Sequence, residues 1–73
     1  MTMTMSRPST LGERLRRERR LAGMTQEELA QEAGVSVDAI LRIERSYVEE
    51  PRVTTIRKIA RALNLEVRDL IDE

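Results

Sequence analysis

Cysteine, histidine, tryptophan and phenylalanine are all missing from this chain of 73 residues, and a single tyrosine is its whole aromatic content. Without cysteine and histidine there can be no disulfide, no Cys/His zinc site and no thiol- or imidazole-based nucleophile. Acid/base chemistry is left to carboxylates, and these stand where helix caps and surface charges are expected, so neither an enzyme nor a cofactor or metal is anticipated. Long apolar runs are missing too. Nothing approaches the roughly 20 apolar residues that cross a bilayer, and the opening "MTMTMSRP" lacks the apolar centre of a secretory leader. A cytoplasmic location without membrane attachment is the resulting expectation. A chain this short holds one small core, and with no metal or disulfide that core must be stabilised by close apolar packing.

Net charge is zero, which argues against indiscriminate binding to polyanions. The distribution is uneven. Residues 1–20 carry six Arg against two Glu, residues 21–50 carry seven acids against two Arg, and residues 51–73 are nearly balanced. "ERLRRERR" reads either as a solvated helix face supported by Glu/Arg pairs or as a patch facing phosphates. The alternating Met and polar residues at the start read as a disordered arm over residues 1–9, in which only Arg7 could touch nucleic acid.

From residue 10 onward apolar residues recur with helical periodicity, and no period-two stretch is long enough for a sheet. Thr10 with Glu13 predicts a capping box opening a first helix, with Leu11, Leu15 and Ala22 along its inner face and Gly23 ending it. Glu18 falls on the same stripe, so either that end of the face meets solvent or an Arg reaches the carboxylate. Thr25 with Glu28 opens a second helix from Gln26 to Ala33, terminated by Gly34. Ser36 caps a third, with Asp38 in its first turn and Ile40 and Ile43 facing inward. Ser46 to Arg52 reads as a loop closed by Pro51. A fourth helix starts near Val53 and buries Val53, Ile56, Ile59, Ala60 and Leu63, and Asn64 is a left-handed cap for its end. "LEVRDLIDE" forms a last short helix with Val67, Leu70 and Ile71 on one side.

The most specific unit is "MTQEELAQEAGVSVDAILRIER", two short helices joined through Gly34 with Leu29, Ala30, Val35, Ile40 and Ile43 as a shared interior. Its T-Q-E-E-L-A start, G-V-S turn and I-x-R-I-E-R end, at fixed offsets, resemble the helix-turn-helix family of phage repressor and Cro proteins, the XRE family. The resemblance runs from Gly12 to about Ile71. It implies an all-α, five-helix lambda-repressor-like bundle over residues 10–73, and binding of double-stranded operator DNA as a homodimer that places the third helix, about 37–45, in the major groove.

The resemblance also implies roles. Gln26 corresponds to a phosphate clamp acting with helix N-terminal amides, or is simply a cap residue. Val37, Asp38 and Leu41 correspond to base-contacting positions, Arg42 and Arg45 to the groove wall and backbone, and Arg19 with Glu44 to an ion pair between the first and third helices. Arg and Lys on guanine, and Asn and Gln on adenine, are the commonest base readers, and none occupies positions 37–41, so base discrimination is expected to be modest. Asp38 either accepts from cytosine or merely stabilises its helix, and Leu41 either touches a base or marks a protein contact.

The loop departs from the family pattern: Ser46, Tyr47, Val48, Glu49 and Glu50 stand where Gly and then basic or amide residues are usual. Tyr47 and Arg52 are candidate backbone contacts, Tyr47 alternatively a cover on the core edge. Val67, Leu70 and Ile71 are dimer candidates, although Val67 and Leu70 could equally close the core. The rival function is a protein-interaction module, such as an antitoxin or the accessory subunit of a regulator, engaging a regulatory partner protein through the third helix. A DNA-binding head of a longer regulator is also compatible with the chain.

Overall fold

Three side-chain oxygens decide where the first three helices begin. Thr10 Oγ1 accepts from the Glu13 amide at 3.1 Å while the Thr10 amide donates to Glu13 Oε1 at 3.4 Å. Thr25 and Glu28 repeat the reciprocal pair at 3.0 and 2.8 Å, and Ser36 Oγ accepts from the Ala39 amide at 3.1 Å. Each bond satisfies one of the amides a helix start leaves without an intrahelical partner. The computed structural model describes residues 10–46 and 51–71, with five helices: α1 (Leu11–Leu21), α2 (Gln26–Ala33), α3 (Val37–Glu44), α4 (Val53–Ala62) and α5 (Val67–Ile71). The expected all-α, five-helix arrangement is the one observed. Residues 1–9, with the proposed arm and Arg7, lie outside the described residues, as do Tyr47, Val48, Glu49 and Glu50. Thr25→Ala should cost about 1 kcal/mol, read as a lower urea midpoint at unchanged slope.

The helices stop as decisively as they start. After α2 the chain turns at Gly34, whose φ of 73° is left-handed, while the Val35 amide returns to the Ala30 carbonyl at 3.0 Å. Glycine, with no Cβ, takes that conformation at no steric cost. Asn64 ends α4 the same way at φ 60°, with the Leu65 amide bonded to the Ala60 carbonyl at 2.8 Å. Ser46 takes φ 61° just after α3, at the place where the family resemblance leads one to expect glycine.

Leu15, Leu29, Ile40, Ile59 and Leu70 are fully buried, one from each helix. Burying a side chain of this size contributes about 1.5–3 kcal/mol. The packing partners are α2 on α3 and α4, α1 on α3 and α5, and α4 on α5. Arg14 adds a polar tie, its Nη1 donating to the Leu70 carbonyl at 3.4 Å.

Two positions expected inside lie outside. Ala22 is exposed beyond the last turn of α1, because that helix outruns its neighbours; Glu18, one turn earlier, is accordingly only half-buried. Val53 is 61% exposed, since the first turn of α4 projects past the core that Ile56 and Ile59 reach.

Candidate nucleic-acid interface

The α2–turn–α3 unit is held together by apolar contacts on its inner side and by one carboxylate at its edge. Ile40 and Ile43 of α3 face Leu29, Ala30 and Ala33 of α2 in a common buried cluster. On the same inner side of α3 lies Glu44, whose side chain is 1% exposed. Arg19 Nε donates to Glu44 Oε2 at 2.7 Å and Arg19 Nη2 to Oε1 at 3.2 Å, a two-pronged bond. Gln26 Nε2 donates to the same Oε1 at 3.0 Å, and Arg16 Nε lies 3.8 Å from it. Arg19 further donates from Nη1 to the Met24 carbonyl at 2.9 Å, and Arg16 from Nη2 to the Glu44 carbonyl at 3.4 Å. One buried anion therefore joins α1, α2 and α3, with hydrogen-bond donors on both carboxylate oxygens, as a charge in this position requires.

Gln26 is thus not a side chain hanging at the start of α2. One of its two amide N–H groups is committed to Glu44, which fixes the plane of the amide and leaves the second N–H to another acceptor. Nothing in the linear order of residues links positions 26 and 44. The contribution of Gly12 is likewise invisible without coordinates: a Cβ there would overlap the Ile43 carbonyl oxygen and lie 2.9 Å from that of Glu44. The missing side chain lets α1 approach the carbonyl end of α3. A glycine in the second position of an otherwise strong helix is the one sequence signal that could have pointed to it, because it weakens the helix without an evident turn to make.

With its inner face anchored, α3 presents its other side outward. Asp38, Arg42 and Arg45 are exposed, and Val37 is at the margin of exposure at 36%. Arg42 Nε and Asp38 Oδ2 stand 3.0 Å apart as an exposed ion pair, so the acid of the first turn and the base of the next act together. Leu41 is half-buried, less prominent than an exposed leucine, yet it is not among the side chains packed against the core. Arg52 caps α4 with its backbone and leaves its side chain exposed.

At the far end, Leu70 is fully buried, so the inward alternative describes it and it offers no surface to a second chain. Val67 is partly buried against the core, and Ile71 is 55% exposed.

The helix-turn-helix family profile matches residues 15–70. The chain belongs to the helix-turn-helix family. It is 32% identical over 63 residues to the HTH-type transcriptional regulator SinR of Bacillus subtilis, an alignment covering 86% of this chain and 57% of SinR. The chain thus spans little more than half the length of the curated relatives it matches. The structure of the N-terminal DNA-binding domain of SinR superposes with a TM-score of 0.83 at 32% identity, over 86% of this chain and 91% of that one. The P22 c2 repressor, solved in complex with a synthetic operator, gives a TM-score of 0.80 at 31% identity, over 89% and 97% of the two chains. SinR also appears in a solved complex with the SinI protein, matched with a TM-score of 0.84 at 31% identity over 88% of this chain and 62% of that one. Among the described residues no helix is long and apolar enough to cross a membrane.

Proposed function

We propose that this chain is the DNA-binding part of a transcription regulator, docking on duplex DNA with the N-terminal half of α3 in the major groove. The observation that carries the reading is the anchored α3: its inner face is buried, its C-terminal carboxylate is bonded to α1 and α2, and its outer face is solvent-exposed. A rod of that kind reaches base edges only if its neighbours hold it at a fixed angle. That the P22 c2 repressor, a relative of the same fold, is solved in complex with a synthetic operator supports DNA binding by analogy.

In this arrangement the remaining N–H of Gln26 and the first amides of α2 face a phosphate, and exposed Arg45 and Arg52 add charge on either side of the loop. Val37 and Leu41 supply apolar contact suited to a thymine methyl, and Asp38 accepts from a base amine. A homodimer would align two such helices on a palindromic site one turn of DNA apart, with Ile71 the exposed apolar residue at the chain's far end. A second reading, regulation by a protein partner, is favoured by the complex in which the relative SinR is found with SinI and by the apolar character of Val37 and Leu41 on α3.

Binding to duplex DNA across a salt series separates the readings. If about four to six phosphates are neutralised, log affinity falls against log salt with a slope of roughly −4 to −5. Arg45→Ala and Arg52→Ala should each weaken binding evenly across sequences and reduce that slope by about 1. Binding that is absent, or indifferent to salt, rules the proposal out.

A further inference from the structure

The exposed α3 ion pair calls for an explanation that folding does not supply. Asp38 is 72% exposed and Arg42 is 58% exposed, and a solvated pair of this kind contributes little to stability. It lies on the exposed outer side of α3. Side chains on a helix lean toward its N-terminus and cover the preceding turn. Arg42 is therefore carried back toward the leading end of α3, where its charge pairs with that of Asp38. The family resemblance had placed Arg42 at the groove wall, whereas this geometry moves its guanidinium forward to the level of the base-contacting positions.

We infer that Asp38 and Arg42 form a coupled base reader, in which Arg42 recognises guanine and Asp38 both aims it and accepts from the amine of an adjacent cytosine. The inference rests on the proposed docking of α3 in the major groove. The chemistry of the pair sets the ligand. The Nε edge of Arg42 faces the Asp38 carboxylate, and the two terminal nitrogens carry four N–H groups, two of which form a fork that fits O6 and N7 of guanine. A lone carboxylate in the groove is repelled by phosphates and meets a favourable donor only on the amines of cytosine or adenine. Paired with the charge of Arg42 it no longer stands uncompensated, and its second oxygen, Oδ1, is available to cytosine N4. The two backbone positions stand one helical turn apart, about 6 Å along the axis, and the charged ends meet at 3.0 Å, so together they can address two neighbouring base pairs in a duplex stacked every 3.4 Å or so. Positions 37–41 hold no guanine reader, and position 42 supplies one.

Selection of bound sequences from a random duplex pool at moderate salt tests this, using the full chain and its Arg42→Ala, Arg42→Lys and Asp38→Ala variants, each checked for an unchanged thermal midpoint. The parent chain should enrich half-sites with a guanine beside a cytosine. Arg42→Ala should reduce discrimination for that guanine by about tenfold to a hundredfold and leave the other positions alone. Arg42→Lys, which keeps the charge but not the fork, should retain affinity for random duplex while losing much of the same discrimination. Asp38→Ala should relax both bases together and raise affinity for random duplex. The inference is overturned if Arg42→Ala selects the parental consensus with uniformly weaker binding and a salt slope smaller by about 1, the mark of a phosphate contact. It is also overturned if Asp38→Ala keeps both preferences. In those cases the parent chain still selects a site and the docking proposal survives; a parent chain that enriches no sequence removes both.

Discussion

Glu44→Ala is expected to destabilise the domain by about 3 kcal/mol, toward the lower end of the 3–5 kcal/mol seen when one member of a buried ion pair is removed. The lower end applies because Arg19 is 11% exposed and keeps its bond to the Met24 carbonyl, so the stranded guanidinium can recover some hydration. Even so the loss is large. A domain of this length has roughly 4–11 kcal/mol in total, and at about 4–8 °C per kcal/mol the melting midpoint should fall by more than 10 °C. Glu44→Gln keeps the shape but sets an amide NH2 against the donors of Gln26 or Arg16, and should fall between the parent and the alanine variant. The double replacement Arg19→Met with Glu44→Leu should recover part of the loss, because it strands no buried charge, although Gln26 Nε2 and the Met24 carbonyl lose their partners. Urea titrations of the four proteins decide the matter. A cost below about 1 kcal/mol for Glu44→Ala would mean that the carboxylate behaves as a surface group.

Gly12→Ala carries the second large effect, and there the sign is as informative as the size. In a helix with open surroundings, alanine in place of glycine stabilises by up to about 1 kcal/mol. At position 12 the added methyl meets the backbone carbonyls of Ile43 and Glu44, which cannot rotate aside as a flexible side chain would. The helices must separate, and overpacking of this kind costs about 1–3 kcal/mol or more. Separation also lengthens the bonds from Arg16 and Arg19 to Glu44, so the steric term acquires an electrostatic one. A net loss near 2 kcal/mol is expected, with DNA binding weakened alongside because α3 is tilted. A stabilised Gly12→Ala protein would show that α1 and α3 lie farther apart in solution.

The parts of this architecture that could be read from the chain are those set by neighbours in sequence. Thr10 with Glu13, Thr25 with Glu28, Ser36, Gly34 and Asn64 act within three or four residues, so their letters alone foretell their bonds. Ile40 and Ile43 were legible because a helix buries one stripe. Ala22 and Val53 were misplaced for the converse reason: periodicity says which side of a helix is apolar, but not how far along it the neighbouring helices extend. Leu70 could be read as core or as seam until the packing of α5 on α1 and α4 was known. The bond from Gln26 to Glu44 and the close approach at Gly12 depend on how α1, α2 and α3 cross, and no local pattern carries that information. The pairing of Asp38 with Arg42 sits between the two cases, being spaced at one helical turn and so implicit in the helix itself.

Each helix packs mainly on two others, and following those contacts from α1 to α3, α2, α4, α5 and back to α1 traces a closed circuit. No helix among the described residues hangs from a single neighbour, and even the short α5 is tied into the circuit through fully buried Leu70. Melting of the packed helices should therefore be an all-or-none event.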